Sequence, residues 1–250
     1  MLTRLAGCLR LKIFVITLFL VSPLAQARAM RSCHPPINPS QPQYIVGYGS
    51  LMSEDSKKTS AKNSGDNIPV TITGYQRGWF LKGPAAKYSA TFLGIKSAVN
   101  QRINGVVFNL PDSNELLAID EREQGYCRQL VELNSIQPLT ADPLPQAQYW
   151  IYVPEPEQIA LANKQYPIVQ SYVDIFLSGC IQMEKKYHLS DYARQCITTT
   201  SDWSPQWVND RIHPRRPWSS TPEAAAIDKL LSEEVADSFN SIVIEGSING

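Results

Sequence analysis

The sequence lacks the motifs that usually carry nucleophilic, phosphate or metal chemistry. It contains no nucleophile elbow, no phosphate-binding glycine loop and no paired-histidine metal motif. Its three histidines, His34, His188 and His213, stand far apart, and we expect each to be structural or solvated. Carboxylates and backbone amides remain as the candidate groups for chemistry. We therefore predict an active site with no metal and no cofactor.

Neither sign of charge is in excess, since 23 lysines and arginines face 23 aspartates and glutamates. Binding to nucleic acid or to an anionic membrane normally requires a basic surplus. The balance argues against both partners. It leaves the oligomeric state open.

Long apolar runs are also scarce, and the one that occurs lies at the start of the chain. Residues Ile13–Leu24 follow the basic Arg4, Arg10 and Lys12 and precede an Ala-Gln-Ala sequence that ends at Ala27. This order is typical of a secretory signal peptide, and the run is shorter than the roughly 20 residues that span a bilayer. We expect residues 1–27 to be removed and the product to be exported, to the periplasm or beyond, without stable membrane insertion. An uncleaved membrane anchor is the alternative.

Cysteine is rare, but four of the five cysteines follow the signal segment. They are Cys33, Cys127, Cys180 and Cys196, enough for two disulfides in an oxidising compartment. We favour a bridge between Cys180 and Cys196, which fall on two neighbouring predicted helices. Buried free thiols are the alternative. A zinc site formed by Cys180, His188 and Cys196 would lack the close paired spacing of structural zinc sites.

The first half of the chain is rich in strands. Residues 28–43 contain four prolines and are predicted to form an extended lead-in to a domain at 44–153. Gly74 and Gly78 are predicted β-bulges, and a short helix is predicted over 113–121. The β-branched and aromatic residues predict strands within 44–52, 70–80, 87–95, 103–110, 129–133 and 147–153.

The second half changes to helical spacing. Apolar residues at helical intervals predict a long helix up to Tyr187 with Pro167 in its first turn, and further helices over 190–197 and 222–238. A segment rich in Trp and Arg at 201–220 is expected to serve structural packing. Residues 154–250 are therefore predicted to be a helical extension packed on the same domain.

Strands that come first and helices that come later predict an α+β fold with a mixed or mostly antiparallel sheet. No alternation of strand and helix is present, which argues against a doubly wound nucleotide-binding fold.

Two short segments could build a site. The first is Gly47, Tyr48, Gly49, Ser50 and Leu51, at the end of the first strand. Glycines at such a turn let the backbone approach a ligand and direct several N–H groups toward one point. A carboxylate or a developing oxyanion could be held there. An ordinary glycine bulge at a strand end is the alternative when this segment is taken alone.

The second segment is acidic and runs from Asp120 through Glu121 and Glu123 to Gly125 and Tyr126. A helix is predicted to end here, where negative charge is unfavourable. Crowding of three carboxylates would raise the pKa of the most buried one. A solvated acidic helix end is the alternative when this segment is taken alone.

Together the two segments resemble the γ-glutamylcyclotransferase superfamily, which includes a ChaC-like glutathione-degrading branch. The resemblance covers about residues 44–153 and places Glu123 at the family's catalytic glutamate. It places Tyr48–Leu51 at the substrate-binding loop, and Tyr126 follows the glutamate in the Arg-Glu-x-Gly-Tyr pattern. Gly74–Arg77 and Gly105–Phe108 resemble later strands of the family.

The resemblance implies a small β-barrel flanked by helices and a reaction that needs no cofactor. A γ-glutamyl amine or peptide would cyclise to 5-oxoproline, with Glu123 as general acid and base. Two alternatives stay open: a related γ-glutamyl acyl transfer, and a non-catalytic exported binding module that kept the pocket.

Overall fold

The computed structural model describes residues 33–83, 89–216 and 221–245, and its centre is a mixed sheet. The predicted signal peptide at 1–27 lies outside the described residues. Within them the sheet has ten strands: β1 Gln43–Gly47, β2 Ile68–Lys82, β3 Thr91–Leu110, β4 Tyr126–Val131, β5 Ile136–Pro138, β6 Gln148–Pro154, β7 Ile168–Val169, β8 Thr200–Ser201, β9 Trp207–Asn209 and β10 Val243–Ile244.

Helices flank this sheet and lie mainly in the second half of the chain. In the described part they are α1 Glu54–Lys58, α2 Ser113–Arg122, α3 Gln170–Tyr187, α4 Tyr192–Thr198, α5 Ala224–Glu234 and α6 Ala236–Phe239. Three single 3-10 turns accompany them, at Ser50–Met52, Leu133–Ser135 and Pro156–Gln158.

The pairing of the strands confirms the predicted α+β fold with a mixed sheet. Strand β3 lies antiparallel to both β1 and β2, and β1 lies parallel to β6, which pairs antiparallel with β4. Strand β3 also pairs in parallel with β7. Strand β7 pairs in parallel with β9, and β9 pairs in parallel with β10. Strand β2 also pairs with β5 and β8, so the pairings among the described strands branch and do not run around a closed ring.

Strand β3 differs from its prediction. The predicted strands at 87–95 and 103–110 are joined in one 20-residue strand, which pairs with β2 up to Ser97 and again from Arg102, while residues 98–101 have no partner in β2. The gap between the two predicted strands is therefore an irregularity within one strand. The bulge at Gly74 is confirmed by a register shift and a φ of +95°, which glycine adopts without strain. The predicted bulge at Gly78 is wrong. The register does not shift there, and the second irregularity of β2 lies between Trp79 and Leu81.

The C-terminal region is helical, as predicted, but it also adds four short strands, β7 to β10, to the same sheet. Such strands of two or three residues are too short to show a periodicity in sequence. Pro167 precedes β7 and is not in the first turn of α3, which begins at Gln170. The Trp-rich segment packs structurally: Trp203 stacks on Trp207, with ring centres 5.2 Å apart, and also contacts Trp79.

Helix α3 packs against the turn that follows β1. Its inward face buries residues at helical spacing, among them Tyr172, Phe176 and Cys180. At Gly179 the contact is so close that an added Cβ would lie 2.5 Å from the backbone at Met52. Only glycine fits there, so α3 fixes the position of the Ser50–Met52 turn.

Two disulfides tie the described chain together. The predicted bridge between Cys180 and Cys196 is confirmed and joins α3 to α4. The other bridge joins Cys33 in the lead-in to Cys127 in β4. Among the described residues, no helix is both long enough and apolar enough to cross a membrane.

Candidate active site

The turn after β1 is held from both sides by buried hydrogen bonds. The Tyr48 hydroxyl donates to the Tyr152 carbonyl oxygen at 2.7 Å. The fully buried Arg77 donates to the Tyr48 carbonyl at 3.1 Å. The Met52 N–H closes the turn on the Gly49 oxygen at 3.0 Å. The turn is therefore fixed before any ligand arrives.

The acidic segment ends helix α2 and leads into β4. The Asp112 side chain accepts from the Asn114 N–H at 2.8 Å and caps the start of the helix. At the other end the Glu123 N–H still donates to the Ile119 carbonyl at 2.9 Å. Gly125 then takes a φ of +84°, a left-handed conformation that favours glycine and turns the chain from helix to strand.

These two segments meet at one cavity. Its walls include six of the seven predicted site residues: Tyr48, Gly49, Ser50, Leu51, Glu123 and Tyr126. Gly47 is the exception and supports the turn from outside the cavity. A Cβ at Gly47 would lie 3.0 Å from the Leu51 Cβ and 3.1 Å from the Val106 Cγ2, so glycine allows β1 and the turn to pack.

The three neighbouring carboxylates take different environments. Glu121 is exposed, on the side of α2 away from the cavity. Asp120 accepts from the Tyr152 hydroxyl at 2.6 Å and lies 3.5 Å from the Arg128 Nε. Side-chain partners therefore hold Asp120. Glu123 is the carboxylate that faces the cavity.

The Glu123 carboxyl is largely removed from water, with 15% of its side chain exposed. Burial raises its pKa above the ordinary value, because the charged form loses hydration. The positive charges of Arg122 and Arg216 oppose this rise in pKa. The Arg122 Nε lies 3.2 Å from the Glu123 Oε1. A positioned carboxyl group with a raised pKa is suited both to accept and to return a proton during a reaction.

Four further residues line the cavity and were missed as site residues: Val46, Leu93, Tyr152 and Tyr172. Tyr172 lies among the apolar residues at helical spacing in α3, and that spacing does not distinguish a core residue from one in a cavity wall. Its hydroxyl lies where a Cβ on Gly49 would approach to 3.0 Å. The Tyr126 hydroxyl donates to the Leu93 carbonyl at 2.7 Å.

The segment after β9 brings Arg216 close enough to lower the pKa of Glu123. The Asp210 carboxylate anchors this segment by accepting from the Ser171 N–H at 2.7 Å, at the start of α3, and from the Arg215 N–H at 2.7 Å. The Arg216 N–H donates to the Ser171 hydroxyl at 3.2 Å. The Trp- and Arg-rich segment therefore contributes charge to the site as well as packing.

One group in the described chain has the composition of a metal site, namely Cys33, Cys127 and Glu155. Their potential ligand atoms lie within 4.8 Å of one another. The two sulfur atoms are bonded to each other, however, and a disulfide supplies no thiolate ligand. The group does not fit a metal ion in this oxidised state.

Comparison with known proteins finds similarity among solved structures, while no family model and no curated protein matches. One similar structure is named a γ-glutamyl cyclotransferase, with 14% identity and a TM-score of 0.48 over 77% of this chain and 99% of that one. An uncharacterised human protein has 12% identity and a TM-score of 0.49 over the same shares of the two chains. A yeast γ-glutamyl cyclotransferase specific to glutathione has 15% identity and a TM-score of 0.38, over 56% of this chain and 78% of that one. Identities and TM-scores this low assign no reaction.

Proposed function

We propose that this chain is a γ-glutamylcyclotransferase-like enzyme that releases 5-oxoproline from a small γ-glutamyl amine or peptide. The observation that supports this most is the position of Glu123: a mostly buried carboxyl of raised pKa that faces the same cavity as the Tyr48–Leu51 turn. The resemblance of these two segments to the superfamily's motifs agrees with the proposal.

The proposed reaction takes place within one substrate molecule. The α-amine nitrogen attacks the γ-carbonyl carbon, a five-membered ring closes, and the γ-amide C–N bond breaks. The products are 5-oxoproline and a free amine. Because nucleophile and electrophile are already joined, holding them in the reactive conformation supplies much of the acceleration.

Glu123 would move the proton that this reaction must transfer. Its carboxylate accepts a proton from the attacking amine, and the resulting carboxylic acid donates that proton to the departing nitrogen. The carboxylate is restored, so no other acid or base is needed. Since Glu123 must start ionised, turnover should rise with pH as the site passes through the raised pKa of Glu123.

The turn and the aromatic walls would orient the glutamyl group. Gly49, Ser50 and Leu51 line the cavity beside Glu123, and their backbone amides are suited to the oxyanion that forms on the γ-carbonyl. Tyr126 and Tyr172 also line this cavity. Their apolar rings would exclude water from the reacting atoms.

We also propose that the enzyme acts after export. The basic start, the short apolar run and the Ala-Gln-Ala sequence support this, and so do the two disulfides, since such bonds persist in oxidising compartments.

A panel of γ-glutamyl peptides and γ-glutamyl amines tests the proposed activity. Each compound is incubated with purified protein and 5-oxoproline is quantified by mass spectrometry. Catalytic release of 5-oxoproline from at least one compound supports a cyclotransferase. Transfer of the glutamyl group to an added amine without ring closure would indicate the related acyl transferase. Thermal stabilisation without any product would indicate a binding module and overturn the proposal.

A further inference from the structure

Arg122 belongs to the acidic segment. Its guanidinium contacts both Glu123 in that segment and Ser50 in the turn after β1. Its Nε is 3.2 Å from the Glu123 Oε1, and one terminal nitrogen, Nη2, donates to the Ser50 hydroxyl at 3.0 Å. The same nitrogen donates to the Ser56 hydroxyl at 2.9 Å. One planar group thus joins the candidate acid/base to the turn that would hold the substrate.

The other terminal nitrogen, Nη1, anchors the guanidinium to helix α1 and the residues after it. It donates to the Ser56 carbonyl at 2.6 Å, to the Ser60 hydroxyl at 3.1 Å and to the Thr59 hydroxyl at 3.2 Å. All three nitrogens are therefore engaged, in the fork geometry that arginine offers and lysine does not. Only 15% of the Arg122 side chain is exposed, so the guanidinium is largely removed from water.

This arrangement leaves the two oxygens of the Glu123 carboxylate unequal. Oε1 faces Arg122, while within the described part of the chain no hydrogen bond or ion pair from protein reaches Oε2. Glu123 also lines the cavity. We propose that Arg122 is a positioning residue, which holds Oε1 and fixes Ser50 so that Oε2 is presented to the substrate amine. The inference rests on the proposed function in that Glu123 is taken as the acid/base.

Arg122 also acts on Glu123 through its charge. Burial raises the pKa of Glu123, and Arg122 is the largest influence that opposes the rise. Without it, burial would hold Glu123 protonated to a higher pH and so remove the base. The charged and titratable groups that face Glu123 from the surrounding elements are Arg122, Arg216, Tyr48, Tyr126, Tyr152 and Tyr172.

A pair of substitutions separates the two actions of Arg122. Arg122→Gln removes the charge and the fork, whereas Arg122→Lys keeps the charge and loses the fork. The pKa of Glu123 is measured by carbon-13 NMR of labelled carboxyl groups, with the resonance assigned from Glu123→Gln. We expect Arg122→Gln to raise this pKa by about 1–3, the usual effect of removing an opposite charge at this distance. Arg122→Lys should raise it much less.

Turnover tests the positioning itself. We expect Arg122→Lys to lower kcat by about tenfold or more at a pH where Glu123 is fully ionised, because misplacement of a reacting group is costly. Arg194→Gln is the control, since it removes an arginine whose partners, Glu233 among them, lie away from the cavity. It should leave both the pKa of Glu123 and kcat unchanged.

The outcomes distinguish this inference from the proposed function. If no γ-glutamyl compound turns over, the proposed function fails, and the NMR titration still tests the contact between Arg122 and Glu123. An unchanged pKa of Glu123 in folded Arg122→Gln protein would overturn the inference, as would wild-type kcat in Arg122→Lys. Should Arg122→Gln fail to fold, the kcat of Arg122→Lys decides alone.

Discussion

Among single residues, surroundings separate the three carboxylates at the end of α2. Asp120 is held by the Tyr152 hydroxyl and faces the Arg128 guanidinium, and Glu121 is exposed. Only Glu123 combines burial with a place in the cavity wall. The sequence placed all three within four positions, and the partners that hold Asp120 come from β4 and β6, which pack beside the end of α2 only in the folded chain.

The first prediction concerns Asp120 and Glu121, the two carboxylates to which the proposed function gives no catalytic role. Glu121→Gln should leave kcat and stability near wild type, because an exposed carboxylate contributes little. Asp120→Asn should destabilise the fold by about 1–3 kcal/mol, because it removes the carboxylate that faces the nearly buried Arg128 and accepts from the Tyr152 hydroxyl.

Urea unfolding and a pH–rate profile check both variants. Asp120→Asn should keep the pH midpoint of turnover while losing stability. A shift of that midpoint in Asp120→Asn or in Glu121→Gln would mean that the acid/base has been misassigned.

The second prediction concerns the space at Gly49. Gly49→Ala would bring a Cβ to 3.0 Å from the Tyr172 hydroxyl, so turn and helix must move apart. We expect a loss of about 1–3 kcal/mol of stability, typical of overpacking, together with weaker substrate binding. Tyr172→Phe removes the atom that clashes.

A double-mutant cycle in urea measures this contact. The cost of Gly49→Ala should be smaller in the Tyr172→Phe background than in the wild type. Equal costs in the two backgrounds would show that the close approach of Tyr172 is not what requires glycine.

Among elements, the sequence predicted those that carry their own periodicity. Helix α2 was expected at 113–121 and runs to Arg122, and helix α4 was expected at 190–197 and spans Tyr192–Thr198. The elements that the sequence did not predict correctly are those that form by pairing with strands distant in sequence. Strand β3 forms one element because both of its ends, up to Ser97 and from Arg102, pair with the single strand β2, and β7 to β10 are too short to leave a pattern.

The candidate site follows the same division. The turn and the glutamate could be predicted because each is a compact motif in the sequence. Tyr152 and Tyr172 could not, because a tyrosine on the buried face of a strand or helix looks the same whether it faces core or cavity. Their contribution depends on how β6 and α3 pack around the turn.

The third prediction concerns the disulfide that joins α3 to α4. Cys180 and Cys196 are 16 residues apart, and loop closure of that size stabilises a fold by about 2–4 kcal/mol. Replacing both with alanine should lower the free energy of unfolding by that amount. Replacing Cys33 and Cys127, which are 94 apart, should cost more on the same entropic argument.

Non-reducing peptide mapping and urea unfolding test these bridges. We expect linked peptides for both pairs in the oxidised protein. Complete alkylation of Cys180 and Cys196 in unfolded, unreduced protein would show that the bridge is absent.

On the scale of the whole molecule, residues 154–216 and 221–245 complete the fold begun by 44–153. They extend the sheet through β7 to β10, press α3 against the turn after β1 and bring Arg216 toward Glu123. The part of the chain that carries both motifs therefore depends on the part that carries neither. We expect a chain that ends near residue 153 to lose activity and stability together.

The fourth prediction concerns export. If residues 1–27 are a cleaved signal, protein recovered from outside the cytoplasm of its native host should have lost about 27 residues by intact-mass measurement. The retained Met1 on such protein would instead indicate an uncleaved anchor.

The central claim, that Glu123 is the acid/base, is tested most directly by the turnover of Glu123→Gln. The pKa of Glu123 is raised in the folded state, so the folded protein holds its proton to higher pH than the unfolded chain does. This carboxyl therefore makes stability fall as pH rises between the two pKa values, and glutamine removes that penalty. The variant should unfold at a urea concentration no lower than the wild type.

The deciding measurement is the rate of 5-oxoproline release by wild-type and Glu123→Gln protein, at saturating substrate and at a pH above the midpoint of the wild-type profile. We predict that the variant binds the substrate but turns it over roughly 10²–10⁴-fold more slowly, the usual contribution of a positioned acid/base. A folded Glu123→Gln variant that releases 5-oxoproline at a near wild-type rate would contradict the account.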